Sequence, residues 1–164
     1  MPDVNLPPNT QLLSLLSSAT EEILSLMVTE DFTHLRSIEN EPEKDEDLDP
    51  HQAHELRFSG EVNGRIVLRS TREGGENLAG EMLMVDSTSV SSQDVADAMR
   101  ECANMICGAL KLRLGCTDDD FVLSVPGPLQ LPAPRPRESG GVLLYQLRQG
   151  VVTIEVWRDE DPAI

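Results

Sequence analysis

Apolar residues recur along the chain with two different periods, and the switches between them divide it into elements. Over residues 9–28, NTQLLSLLSSATEEILSLMV, the positions Leu12, Leu13, Leu16, Ala19, Ile23, Leu24 and Met27 follow helical spacing. Asn9 or Thr10 can cap that helix, because a short polar side chain satisfies its first free amides. Residues 55–60 and 64–70 flank Glu61-Val62-Asn63, and the Asn63-Gly64 pair is a strong turn signal, so a β-hairpin is predicted. Residues 76–85 return to a helical rhythm through Leu78, Met82 and Leu83, with Gly74 and Gly75 as a loop before them. The longest helical pattern covers residues 92–114, opened by a capping box of Ser91 with Asp94 and closed by Gly115. A short strand at 121–125 follows. Residues 142–148 and 151–157 then form a second hairpin closing on Gln149-Gly150.

This order predicts an α+β fold with long helices packed on a largely antiparallel sheet. A chain of 164 residues is expected to be one domain, residues 1–164, able to bury a core without a metal or disulfide staple. Aromatic residues are scarce, so that core is built from Leu, Val, Ile, Met and Ala. Residues 39–50, ENEPEKDEDLDP, hold seven carboxylates, one lysine and two prolines, and read as an acidic linker. Asp45, Asp47 and Asp49 have the spacing of a calcium loop. Pro50 stands where that loop needs glycine, so calcium is rejected. Residues 126–141 are a proline-rich loop in which Pro132, Pro134 and Pro136 favour a stiff surface segment over a docked polyproline helix.

Charge narrows the partners. A net charge of -16 argues against nucleic acid, which needs a basic footprint, and against an anionic membrane surface. No apolar run reaches transmembrane length, and MPDVNLPPNTQ lacks the pattern of a signal peptide, so a cytoplasmic location is expected. Cys102, Cys107 and Cys116 lack paired metal spacing, and reduced thiols are the expectation. His51 and His54, with His34 upstream, lack a third ligand in the pattern, and no metal is expected. Gly74-Gly75 precedes no lysine, so no phosphate loop is expected either.

The chemistry sits on the third helix. Val95, Met99, Cys102, Ile106 and Leu110 form its apolar stripe, whereas Asp97, Glu101, Asn104, Gly108 and Lys111, spaced four, three, four and three, form another face. Asn is a weak helix former, costing roughly half a kcal/mol against Ala, and Gly costs about 1. Two such residues on one exposed stripe need a reason, and a closely approaching partner surface would supply it.

The stretch DVADAMRECANMICG, with Asp97, Glu101 and Asn104, followed after 21 intervening residues by Pro126, resembles the signature of the CheC/CheX/FliY phosphatase family. Ala98, Ala103, Met105, Ile106, Gly108 and Lys111 agree with it. CheX is the nearer likeness. CheC-type members repeat the Glu/Asn pair on the first helix, where this chain offers Ser17 with Glu21 or Ser18 with Glu22, but Leu24 and Ser25 in place of Asn.

The resemblance implies a CheX-like fold and a protein phosphatase acting on the aspartyl phosphate of a CheY-like response-regulator receiver. Asn104 would orient the attacking water, and Glu101 would anchor on a receiver lysine. Asp97 and Gly108 would border the contact, with a structural role favoured for Asp97. The chain itself would bind no cofactor, Mg²⁺ being expected on the receiver. A homodimer is expected from CheX relatives and from the apolar alternation of residues 142–157, taken as a sheet edge. The alternative is a non-catalytic CheX-like module that docks a receiver or another signalling or flagellar protein.

Overall fold

The computed structural model describes residues 9–28, 33–39, 50–60, 63–117, 121–131 and 140–159. Three helices, α1 (Asn9–Met27), α2 (Arg72–Leu83) and α3 (Ser92–Leu114), pack on a seven-stranded sheet. The strands are β1 (Thr33–Glu39), β2 (Gln52–Gly60), β3 (Gly64–Ser70), β4 (Phe121–Leu123), β5 (Gly127–Pro128), β6 (Gly140–Gln146) and β7 (Val151–Arg158). Their order is β1-β6-β7-β3-β2-β4, with β5 also beside β2, and every pair is antiparallel. The architecture is α+β, as the pattern predicts.

The two hairpins, β2–β3 and β6–β7, join side by side through β3 and β7, where Ile66 faces Val156 and Leu68 faces Ile154. Alternation then sends Leu56, Phe58, Ile66, Leu68, Leu143, Tyr145, Val152, Ile154 and Val156 to the helical side, and all are buried. Leu12, Leu16, Ile23 and Leu24 of α1 and Met99, Ile106 and Leu110 of α3 complete one continuous core with them. Aliphatic side chains dominate it, joined by Tyr145 and by a stacked pair of rings, Phe58 and Phe121, 4.9 Å apart.

The opposite face of the sheet is covered too. Val67, Val142 and Trp157 form a second buried cluster with Leu129 packed against it. Beside them Arg69 and Glu155 are 4% and 0% exposed. Arg69 Nε donates to Glu155 Oε2 at 2.5 Å, and Trp157 Nε1 donates to Glu155 Oε1 at 3.0 Å.

Several elements differ from the sequence reading. Strand β1 was not foreseen: its sequence, THLRSIE, has only two aliphatic residues, and pairing with β6 more than 100 residues later is what makes it a strand. α2 begins at Arg72, so Gly74 and Gly75 lie inside it rather than in a loop. Thr71 caps it by accepting from Gly74 N at 3.1 Å. The glycines answer to packing. A Cβ on Gly74 would sit 2.4 Å from Val151 O, and one on Gly75 2.7 Å from Val95 Cγ1.

At the other end of the sheet, β4 stops at Leu123. Ser124, Val125 and Pro126 stand opposite Leu56 and Arg57, a bulge whose extra residue turns Val125 out to 86% exposure. The proline-rich loop is pinned at both ends, since Gly127–Pro128 pairs with β2 and Gly140–Gly141 opens β6. Pro132, Pro134 and Pro136 lie outside the described residues, as do 40–49 of the acidic segment. α1 starts at Asn9, which moves its cap position upstream of the described residues. The strands 142–148 and 151–157 are not an edge. β6 and β7 are interior, flanked by β1 and β3, and the argument for a dimer from their exposed apolar alternation fails.

Burial separates the thiols. Cys102 and Cys107 are enclosed in the core, and burial pushes the Cys102 thiol up to about 12 and that of Cys107 up as well, whereas Cys116 is half-buried. A thiol-reactive dye should therefore label Cys116 alone in the native protein and all three cysteines after denaturation. Labelling of Cys102 or Cys107 at the native rate of Cys116 would contradict this packing.

The sheet order also bounds a test of the acidic segment. β1 and β2 are separated by β6, β7 and β3 and run in the same direction, so the chain between them crosses four strand spacings, roughly 19 Å, and also returns along the strands. Replacing 40–49 with ten Gly/Ser residues, which keeps the length of the connection, should leave the melting temperature nearly unchanged, and a large drop would show that the segment packs.

Candidate functional site

The third helix is fixed at both ends and along its length. Ser91 Oγ accepts from Asp94 N at 3.1 Å while Ser91 N donates to Asp94 Oδ2 at 2.8 Å, the reciprocal capping box. At the far end Gly115 takes a left-handed φ of 69° and donates to Leu112 O at 3.1 Å. Between the caps Val95, Met99, Cys102, Ile106 and Leu110 are each 3% exposed or less. Arg113 adds a lateral tie. It donates to Ser18 Oγ at 3.2 Å and pairs with Glu22 on α1.

With the apolar side committed inward, Asp97, Glu101 and Asn104 are exposed and Gly108 is half-buried. Glu101 and Asn104 lie one turn apart, roughly 4.5 Å along the axis, on the same side. Neither side chain makes a hydrogen bond or ion pair among the described residues. A carboxylate and a carboxamide thus stand side by side, both free to meet an incoming group. The carboxamide can donate to and accept from one water and does not titrate.

Asp97 differs from its neighbours. Its Oδ1 accepts from Gln93 Nε2 at 3.0 Å and pairs with the Arg100 guanidinium, so it is occupied on its own helix. Gly108 has open space where a Cβ would be, with nothing within 4 Å. Packing inside the protein gives no reason for glycine there. Pro126 is half-buried in the edge bulge between β4 and β5; lacking an N–H, it cannot continue the ladder on β2.

The first helix carries the counterpart pattern in closed form. Ser18, Glu22 and Ser25 have the spacing of Asp97, Glu101 and Asn104, but Glu22 is paired with Arg113, and Ser25 Oγ donates to Glu21 O at 2.6 Å. Sequence reasoning missed Arg113. Its only signal was a position in the last turn of the third helix, and nothing in one dimension says that this turn lies against α1.

The histidines do not assemble. His51 is exposed and the His34 side chain lies outside the described residues. His54 is 3% exposed, with Nε2 3.2 Å from Gln52 Oε1 and no hydrogen-bond partner for Nδ1 among the described residues. Burial holds its imidazole below the usual value, and the Arg100 charge adds to this. No group of three or more His, Cys, Asp and Glu able to hold a metal occurs among the described residues. No helix there is long and apolar enough to cross a membrane. A cavity of about 230 Å³ lies elsewhere, between the end of α2 and the β6–β7 turn, lined by Asn77, Glu81, Arg148 and Gln149 among others. The stripe on α3 is convex, a shape suited to entering a partner's site rather than enclosing a small molecule.

The family model described as "Chemotaxis phosphatase CheX" matches residues 56–135, a span that includes Glu101, Asn104 and Pro126. Over those residues the chain resembles the CheX family. Its fold is similar to that of the chemotaxis protein CheX from Vibrio vulnificus, at 17% identity and a TM-score of 0.71 over 91% of this chain and 99% of the other. It is also similar to a chain in the CheX–CheY–BeF3–Mg²⁺ complex from Borrelia burgdorferi, at 12% identity and a TM-score of 0.73 over 91% and 98%. FliY from Thermotoga maritima shares the fold at 15% identity and a TM-score of 0.62 over 93% and 91%. No curated protein matches the chain in sequence. At these identities the structures establish a common CheX-like fold.

Because Gly108 meets nothing and Asn104 is exposed, neither is needed for stability of this CheX-like domain. Gly108→Ala should raise unfolding stability by up to about 1 kcal/mol and Asn104→Ala by about half that, measured by urea denaturation. Destabilisation by either change would mean that the residue supports its own fold.

Proposed function

We propose that this CheX-like protein hydrolyses the aspartyl phosphate of a CheY-like receiver domain by positioning the attacking water. The observation that carries this reading is the pair Glu101 and Asn104, adjacent, exposed and unpartnered among the described residues on a helix capped at both ends. The match to the CheX family over this segment supports it. The CheX–CheY–BeF3–Mg²⁺ complex, which has the same fold, supports a CheY-like receiver as partner and Mg²⁺ as the receiver's metal.

An acyl phosphate is a mixed anhydride and already activated. What it lacks is a water held in line with the P–O bond, since phosphoryl transfer depends mainly on positioning and electrostatics. Asn104 would enter beside the phosphoryl group and accept a hydrogen bond from that water, aiming the water's lone pair at phosphorus. The bond from phosphorus to the aspartyl oxygen then breaks, the water's protons pass to phosphate and solvent, and free carboxylate and inorganic phosphate remain. Glu101, with no partner among the described residues, would pair with a receiver lysine and set the depth of Asn104. A general-base role suits Glu101 poorly, because that work favours a carboxylate shielded from water, and this one is exposed. Asp97, held by Gln93 and Arg100, would shape the rim, and the bare backbone at Gly108 would let the receiver approach.

The test is phosphate release from Mg²⁺-loaded, phosphorylated receivers of the same genome. Asn104→Ala should lower the rate on the order of 10²–10³ while receiver binding persists, the loss expected for one preorganised group in a transition state. Glu101→Ala should weaken both binding and rate. Full activity of both variants would place the site elsewhere. Binding without hydrolysis by the wild type would instead favour the non-catalytic docking module.

A further inference from the structure

The exposed stripe of α3 continues past Gly108. Residues 101, 104, 108 and 112 are spaced three, four and four, so they form one line along the helix. Leu112 closes that line, 81% exposed, roughly 16 Å along the axis from Glu101. The other leucines of this half-helix turn inward: Leu110 is 1% exposed, and Leu114 packs against the core.

Leu112 cannot roll inward to join them. Its neighbour Arg113 is bound to Ser18 and Glu22 of α1 and to Ala109 O at 3.2 Å, which fixes the rotation of the last turns. Its own carbonyl accepts from Gly115 N at 3.1 Å, and Lys111 O accepts from Cys116 N at 3.4 Å, which fixes the end. A large apolar side chain is therefore held in water on the line that carries the carboxylate and the carboxamide. Gly108, between them, has no side chain to obstruct what approaches.

We infer that Leu112 is the apolar anchor of receiver docking, seated in an apolar depression of the receiver surface beside its phosphorylation site. This rests on the receiver-phosphatase reading and divides the line in two: Glu101 and Asn104 act at the acyl phosphate, Leu112 supplies contact energy one end away. Charge favours a receiver over a second copy of this chain as occupant. Two copies meeting through this face would bring together chains of net charge -16 each, which repel. A receiver instead presents the lysine with which Glu101 is proposed to pair.

The experiment compares wild type, Leu112→Ser, Leu112→Met and Asn104→Ala in the full chain. It reads kcat and KM on phosphorylated receiver and Kd for the beryllofluoride- and Mg²⁺-loaded receiver. Leu112→Ser should raise KM and Kd roughly ten- to hundredfold, the effect of losing one buried leucine at an interface, with kcat within about twofold and an unchanged melting temperature. Leu112→Met should retain most of the affinity, as an apolar anchor requires. Asn104→Ala should show the converse, a lower kcat at unchanged Kd. An unchanged Kd for Leu112→Ser, alongside the Asn104→Ala loss, overturns the anchor and leaves the phosphatase reading standing. A weakened Kd for Leu112→Ser with undiminished Asn104→Ala turnover supports the anchor and overturns the catalytic assignment. Loss of self-association in sedimentation by Leu112→Ser, with receiver affinity intact, assigns the face to a second copy and overturns the anchor. Failure of every receiver to bind the wild type overturns both.

Discussion

The site depends on a packing constraint: the apolar side of α3 has to fill the space between α1, α2 and the inner face of the sheet. Met99, Cys102, Ile106 and Leu110 occupy that space at 1% exposure or less, on a surface made by Leu56, Ile66, Leu68 and Ile154. A helix that buries those positions has no freedom of rotation left. Losing one such side chain costs about 2–5 kcal/mol, whereas the exposed stripe contributes almost nothing to folding and even carries two poor helix formers. The core thus holds the orientation of Glu101 and Asn104, and the stripe is left open to selection for contact with another molecule.

Rigidity on the other side of the sheet comes from a different chemistry. Arg69 and Glu155 are buried on the outer face, joined to each other and, through Glu155, to the Trp157 indole. Such a pair adds little net stability over apolar residues of the same volume, since desolvation offsets the attraction, but removing one partner strands a buried charge. Arg69 lies on β3 and Glu155 on β7, so the contact spans the join between the two hairpins. A one-residue shift of register there would separate the charges and also turn the inner face of one hairpin away from the helices. The network makes that error costly at the seam on which α3 rests.

The two long helices have similar patterns and different fates. α1 presents Ser18, Glu22 and Ser25 at the spacing of the α3 site, yet Arg113 neutralises Glu22 and Ser25 turns back to its own helix. The same guanidinium that occupies the α1 carboxylate steadies the end of α3, so closing one surface helps to define the other. On α3, Glu101 stands without a partner among the described residues, beside a carboxamide.

The helices, both hairpins, the limits of α3 and the pairing of Glu101 with Asn104 on its polar side were all legible in the sequence. They depend on local rules, namely the 3.6-residue period, capping side chains and turn dipeptides, which act within a few residues. The rest required contacts between distant parts of the chain. THLRSIE becomes β1 only because β6 arrives beside it, and Gly74 and Gly75 belong to a helix because Val151 and Val95 leave no room for a Cβ. Strands that read as an apolar edge lie in the middle of the sheet, and Arg69, Glu155 and His54 are buried where residue type alone would place them in water. The pairing of Arg113 with Glu22 joins residues 91 positions apart. Periodicity specifies which side of an element is apolar; which neighbour covers that side, and which polar groups are enclosed with it, is decided by strand order and packing, for which a local pattern holds no information.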